Sequence, residues 1–179
     1  MYRHTVDGGN VELLELSVKT RSAEETRELG RLFATVLRAR DIVLMTGSLG
    51  AGKTCFVGGV AEALRVKGYV SSPTFTLLHV HEPADAGQPQ LNHFDVYRLD
   101  DADDFIRHGF DEISYHDGIT LIEWGDRVRD ALHEDPIELA ITFGQDDDER
   151  ILHFVFPDGR ETDGDAFRRL LDGVERREQ

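Results

Sequence analysis

Cysteine is almost absent from this 179-residue chain, where Cys55 stands alone. A single thiol excludes an intramolecular disulfide and a cysteine-based zinc site. No apolar run reaches the roughly 18 residues that a membrane-spanning helix requires. The N-terminus lacks a charged-then-apolar leader pattern. Together these absences predict a cytoplasmic protein with no membrane partner. Basic residues are scarce beside acidic ones: Lys plus Arg number 20 and Asp plus Glu 35, a formal net charge of −15. Such a surface repels a polyanion unless a local basic patch intervenes, so service to a nucleic acid would require a partner to hold it. Solubility alone is the plainer account of the charge. Internal repeats, low-complexity segments and the guanine-reading pattern Asn-Lys-x-Asp are also missing.

What is present is organised around Met45-Thr46-Gly47-Ser48-Leu49-Gly50-Ala51-Gly52-Lys53-Thr54. Gly47, Gly52, Lys53 and Thr54 fit the phosphate-loop pattern G-x-x-x-x-G-K-[ST]. Gly47, Gly50 and Gly52 let the backbone curl so that successive N–H groups face phosphate oxygens. Lys53 reaches the β- and γ-phosphates, the Thr54 hydroxyl sits on Mg²⁺, and the following helix adds the positive end of its dipole. The context fits. Asp41-Ile42-Val43-Leu44-Met45 reads as a buried strand, and Phe56, Val57, Val60, Ala61 and Leu64 recur at helical spacing until Gly68.

The length suits one domain, 1–179, with loose ends at 1–10 and 175–179. Residues 11–18 alternate in part and predict a first strand. Ser22 and Glu25 form a capping box ahead of a helix face made by Leu29, Leu32, Phe33, Val36 and Leu37. The turn 20–22 either lies near a nucleotide base or is a plain helix cap. Ser71-Ser72-Pro73-Thr74 breaks the pattern, and strands are predicted over 75–80 and 91–99 across the loop 82–90. The acidic run 100–104 starts a short helix carrying Phe105, Ile106 and Phe110. A turn at Asp117-Gly118 precedes a buried strand over 119–124, then a helix over 126–133. Residues 137–143 and 151–156 predict a hairpin around the acidic loop 145–149, and Phe167, Leu170, Leu171 and Val174 a final amphipathic helix. The fold class is α/β: a phosphate-loop domain with a mainly parallel sheet flanked by helices and antiparallel strands near the C-terminus.

Chemistry needs an acid near the metal, and Ile119-Thr120-Leu121-Ile122-Glu123 places Glu123 at the end of an apolar strand. The reading as a metal ligand is preferred to an ordinary strand-end acid. Asp95 lies among Phe94, Val96 and Tyr97, where an unpaired charge is costly, so it must have a partner. It either serves the metal or the attacking water, or forms a structural salt bridge, for example to Arg98. Thr74 is either a γ-phosphate sensor or a turn residue. Trp124 reads first as core packing, with a shield for the metal or a contact surface as the alternatives, and His79 and His81 read as surface or edge residues rather than a metal pair.

Four stretches together resemble the TsaE (YjeE) ATPases: Gly47 to Thr54, Ser72-Pro73-Thr74-Phe75-Thr76-Leu77, His93-Phe94-Asp95-Val96-Tyr97-Arg98-Leu99 and Leu121-Ile122-Glu123-Trp124. They occur in the family's order and spacing, and the resemblance covers about 22–150. It implies ATP as substrate, Mg²⁺, and a role in the threonylcarbamoyl modification of tRNA adenosine beside the anticodon. It further implies docking on a TsaD–TsaB complex, with tRNA reached only through that partner. Under the resemblance the nucleotide contacts are Gly47, Ser48, Leu49, Gly50, Ala51, Gly52, Lys53, Thr54, Cys55, Thr74 and Arg150. The metal ligands are Thr54, Glu123 and Asp95, and Lys53, Asp95 and Glu123 are catalytic. Ser48 stands where the family often has an acid, Cys55 replaces its usual Thr or Ser, and the C-terminal hairpin and helix match poorly. The alternative is a small-molecule kinase of the phosphate-loop class. Such enzymes usually carry an arginine-rich lid, whereas the candidate lid segments 82–90 and 100–104 are acidic. A GTPase-like switch is a further rival, and it lacks its base-reading motif here.

Overall fold

Val43, Leu44 and Met45 are apolar on both sides of a strand, which suits only a position covered on both faces. They occupy one. The structure, a computed structural model, describes residues 13–114 and 118–175. Its strands are β1 (Leu14–Thr20), β2 (Ile42–Thr46), β3 (Leu78–His81), β4 (Leu91–Asp95), β5 (Ile119–Glu123), β6 (Ile137–Phe143) and β7 (Arg150–Phe156). The helices are α1 (Ala23–Ala34), α2 (Lys53–Ala63), α3 (Ala102–Arg107), α4 (Phe110–Ser114) and α5 (Glu161–Glu175). One seven-stranded sheet runs β1-β7-β6-β2-β5-β4-β3. Strands β6, β2, β5 and β4 are mutually parallel. The hairpin β6–β7 is antiparallel as expected. Antiparallel strands are not confined to the C-terminal part, however. Strand β1 joins β7 at one edge and β3 joins β4 at the other.

The burial of each strand follows from what covers it. Strands β4 and β5 are buried along their whole length, whereas β6 alternates. On one face α1, α2 and α5 pack over a core that includes Val43, Met45, Leu121, Leu139 and Phe154. Its centre is aromatic: Phe33 of α1 lies 5.1 Å from Phe154 and 5.3 Å from Phe167 of α5, ring centre to ring centre. On the other face a smaller core of Ile42, Leu44, Phe94 and Ile122 meets Phe105, Val128 and Leu132.

Helices α1 and α2 approach backbone to backbone. A Cβ on Gly59 would stand 1.9 Å from the Arg27 carbonyl oxygen, and one on Gly30 would stand 2.3 Å from that of Phe56. Neither obstacle is a flexible side-chain tip. Gly59→Ala is therefore expected to force α1 and α2 apart and lower stability by about 1–3 kcal/mol. Denaturant titration checks this, and an unchanged midpoint would refute the close packing.

Several boundaries differ from those expected. Strand β1 extends to Thr20, and residues before 13 lie outside the described set, as does Asp117 of the expected turn. Helix α2 ends at Ala63, and Arg65 at φ +51° turns the chain before Gly68. The 75–80 strand starts only at Leu78, because Thr76 and Leu77 both donate their N–H groups to the Pro73 carbonyl and make a turn there. Strand β4 stops at Asp95 rather than Leu99; the Val96 N–H still reaches Glu123, then Leu99 bonds back to Val96. Residues 126–133 form no α-helix but two 3-10 turns, Gly125–Arg127 and Arg129–Ala131, entered through Trp124 at φ +64°. In the capping box the Ser22 hydroxyl accepts from the Glu25 N–H as expected, but the Glu25 carboxylate reaches Arg21 rather than Ser22. Helix α5 buries Phe167 as its pattern requires; the side chain of Val174 is outside the described set.

Candidate active site

The site lies where β2, β5 and β4 end side by side. Asp95 is the register partner of Glu123, and Glu123 that of Met45, so the carboxyl ends of three parallel strands converge on the loop. Ligands of open α/β sheets bind at such carboxyl ends. Gly47, Gly50 and Gly52 adopt φ of +137°, +77° and +110°, which only glycine takes without strain. Gly47 is doubly constrained: a Cβ there would stand 2.3 Å from the Ile141 carbonyl oxygen on β6. Helix α2 starts at Lys53 with no side chain capping it and no acid in its first turn. Its orphan N–H groups therefore face the loop without a competing anion.

Lys53 is 4% exposed. Its ammonium donates to the carbonyls of Gly47 at 2.6 Å and Ser48 at 3.0 Å, and lies 4.0 Å from the centre of the Trp124 ring. Burial pulls its pKa below the ordinary lysine value, while Glu123, Asp95 and Asp126 oppose that shift. Trp124 thus packs against the smaller core, as expected, and also reaches into the site. It is half-buried, covers Lys53, and leans on Tyr97 at 4.8 Å.

Glu123 is buried and accepts two hydrogen bonds at Oε1, one from the Thr54 hydroxyl at 2.7 Å and one at His93 Nε2, 2.9 Å away. Asp95 is buried as well, and its partner is not Arg98. Its Oδ2 accepts from the Ser72 and Thr74 hydroxyls, and Oδ1 accepts from the Tyr97 N–H at 3.2 Å. Arg98 instead lies over Phe75, a ring 84% exposed beside the same turn. Thr74 is therefore a turn residue by backbone and bound to the strand-end acid by side chain.

Arg150, at the start of β7, donates to the Ala51 carbonyl at 3.1 Å, so its guanidinium lies against the phosphate loop. It is the register partner of Thr20, whose hydroxyl bonds Thr26 at 2.8 Å. The turn 20–22 thereby adjoins the loop through Arg150. Leu49 at the loop tip is 87% exposed. Cys55 faces α1, its thiol 3.1 Å from the Ala23 carbonyl, and burial raises its pKa.

The reading from sequence missed two contributors and misjudged what a third covers. Ser72 and His93 each stand two residues before a singled-out residue, Thr74 and Asp95, and the second spacing on a strand means a shared face. Trp124 was visible as a neighbour of Glu123 but not as the cover of Lys53. His79 and His81 lie on the edge strand β3, within the expectation of surface or edge residues; His81 is nonetheless buried beside His93, and burial lowers its pKa. Among the described residues no three His, Cys, Asp or Glu side chains cluster closely enough to hold a metal ion. The oxygens of Thr54, Glu123 and Asp95 suit Mg²⁺, a hard cation that keeps several waters and takes further ligands from phosphate.

Residues 20–152 match the family model described as "Threonylcarbamoyl adenosine biosynthesis protein TsaE". A curated relative from Treponema pallidum (strain Nichols), named "tRNA threonylcarbamoyladenosine biosynthesis protein TsaE", is 40% identical over 122 residues, 68% of this chain and 87% of its own. The relative of the same name from Bacillus subtilis (strain 168) is 34% identical over 137 residues, 76% of this chain and 84% of its own. The crystal structure of Bacillus subtilis YdiB superposes with a TM-score of 0.68 at 28% identity, covering 94% of this chain and 99% of that one. The fold, the loop and these matches agree, and the chain belongs to the TsaE family.

Proposed function

We propose that this protein binds ATP with Mg²⁺ on the phosphate loop and hydrolyses it, in service of the threonylcarbamoyl modification of tRNA adenosine. One observation carries the reading: the loop, the Thr54–Glu123 pair and Asp95 meet at the ends of three adjacent parallel strands. The loop N–H groups and Lys53 bind the β- and γ-phosphates, Lys53 leaving the carbonyls of Gly47 and Ser48 for phosphate oxygens. Thr54 and Glu123 hold the metal, which when bound would neutralise developing phosphate charge. Asp95 orients the attacking water. Its Oδ2 is engaged by Ser72 and Thr74, so turning Thr74 toward the γ-phosphate frees that oxygen for the water. Nucleotide state would thereby move the turn at Pro73, a local change that a partner can read.

The partner in this reading is a TsaD–TsaB complex, which also holds the tRNA, and the setting is the cytoplasm. The acidic segments 82–85 and 100–104 are weak docking candidates because several of their acids have local partners. Glu82 pairs with Lys67, Asp85 with Arg65 and Asp104 with Arg107, while Asp101 caps α3. The deciding experiment adds the purified chain to TsaD–TsaB, tRNA, threonylcarbamoyl-adenylate and ATP. Multiple turnover is expected only with the chain present and ATP hydrolysed to free phosphate. A phosphorylated metabolite as product would instead establish a small-molecule kinase.

With a net charge of −15, the isolated protein is expected to show no measurable tRNA binding at physiological salt. Association with the partner complex is expected to depend on ATP and to weaken in Thr74→Ala, as read by a pull-down with and without nucleotide. Tight tRNA binding by the chain alone, or partner binding indifferent to nucleotide, would contradict this mechanism.

A further inference from the structure

We propose that His93 is a positioning residue for the metal-binding carboxylate: it holds Glu123 in one orientation through a hydrogen bond from inside the sheet. The inference rests on the reading of Glu123 as a Mg²⁺ ligand. His93 is fully buried on β4, facing Leu121 of β5 and His79 of β3 in register. An apolar side chain would suit that place better, since a buried imidazole costs free energy unless it is hydrogen-bonded. The ring has one such bond, from Nε2 to Glu123 Oε1 at 2.9 Å; Nδ1 has no partner among the described residues. The hydrogen bonding of this histidine is thus directed wholly at one carboxylate oxygen.

That oxygen also receives the Thr54 hydroxyl. Two donors from different elements, β4 and α2, fix Oε1 and leave Oε2 to turn toward a ligand. An ionised carboxylate only accepts, so Nε2 carries the proton and donates. Thr54 is itself a metal ligand in the reading above, so its contact shifts as the metal arrives, while His93 remains as the fixed second point. Donors behind a ligating carboxylate set its direction, and removing one typically costs about 10- to 100-fold in metal affinity or activity.

The test uses Mn²⁺ as the probe, with free ion counted by its EPR signal, in the presence of a non-hydrolysable ATP analogue. Alongside it, the Mg²⁺ concentration for half-maximal ATP hydrolysis is measured. His93→Phe keeps the volume and removes the donor, His93→Gln returns an amide donor near the Nε2 position, and Glu123→Gln reports on the metal reading itself. The expected result is a 10- to 100-fold weaker Mn²⁺ affinity in His93→Phe, a matching rise in the Mg²⁺ requirement, and unchanged metal-free analogue affinity. His93→Gln is expected to restore most of the loss. Normal Mn²⁺ binding in His93→Phe with impaired binding in Glu123→Gln would overturn the role of His93 and spare that of Glu123. Normal binding in Glu123→Gln would overturn the metal reading and the inference with it. Equal losses in His93→Phe and His93→Gln, or a parallel loss of metal-free nucleotide affinity, would show a merely structural histidine and overturn it as well. Should His93→Phe fail to fold, His93→Gln is compared with His93→Asn, whose shorter amide cannot reach Glu123. A metal affinity higher in Gln than in Asn supports the inference, and equal affinities overturn it.

Discussion

Lys53→Ala is expected to cut ATP affinity or turnover by about tenfold to somewhat over a hundredfold. A hydrogen bond from a charged donor contributes about 1.5–3 kcal/mol, and each 1.4 kcal/mol is about a factor of ten. The fold should survive. Among the described residues the ammonium forms no ion pair and bonds carbonyls of its own loop, while the buried Glu123 and Asp95, which lose its nearby charge, keep their own hydrogen-bond donors. Lys53→Arg is not expected to rescue activity, because the planar guanidinium does not fit the seat between two carbonyls and the Trp124 ring. ATP turnover and thermal melting of both variants check this. Unchanged turnover in Lys53→Ala would refute the assignment of the loop.

Asp95→Asn is expected to spare ATP binding and to slow hydrolysis by about 10²- to 10⁴-fold, the usual range for a positioned proton acceptor. It also carries a structural signature. Asp95 accepts at both oxygens, from two hydroxyls on one side and the Tyr97 N–H on the other. An asparagine can keep its carbonyl toward the Tyr97 N–H and offer its N–H₂ to the Ser72 and Thr74 hydroxyls, which must turn to accept, so a loss of about 0.5–1.5 kcal/mol in stability is expected alongside as charge-assisted bonds become neutral ones. Glu123→Gln should instead raise the Mg²⁺ concentration needed for activity. Calorimetric titration of Mg·ATP into both variants separates the roles, and equal loss of binding in the two would mean that the division is wrong.

Much of this site is local in the chain and hence legible there. A strand, a glycine loop and a helix follow one another without a break, and the buried run ending in Glu123 declares where its acid must emerge. The demand that Asp95 have a partner was also readable, because a charge inside a strand cannot stand alone. Its identity was not. Ser72 and Thr74 reach Asp95 across a turn set by the Pro73 carbonyl, and nothing in the spacing separates that turn from the start of a strand. Arg98, closer in sequence, sits one turn past the end of β4 and goes elsewhere. His93 was hidden for a different reason: a histidine in an apolar strand looks the same whether it fills the core or bonds a carboxylate. The antiparallel edge β1 depends on pairing with the distant β7, which periodicity does not encode, and β3 pairs with the next strand, β4, in an orientation that periodicity does not encode either. The 3-10 turns after Trp124 depend on Gly125 packing against Leu44, where a Cβ would come within 2.8 Å.

The strand order has a kinetic consequence. Among the described residues strand β2, which carries the phosphate loop, pairs with β5 and β6 alone, and β1 with β7 alone. As the chain emerges from the ribosome N-terminus first, Val43, Leu44 and Met45 are made early and find their neighbours only when Ile119–Glu123 and Ile137–Phe143 have followed. Such non-local closure slows folding and leaves apolar strands open in the interval. The complete loop sequence therefore exists well before anything can hold its shape. A fragment ending at Asp95 would contain every phosphate-binding residue of the loop, yet leave β2 without either neighbour, and is expected to aggregate rather than bind ATP.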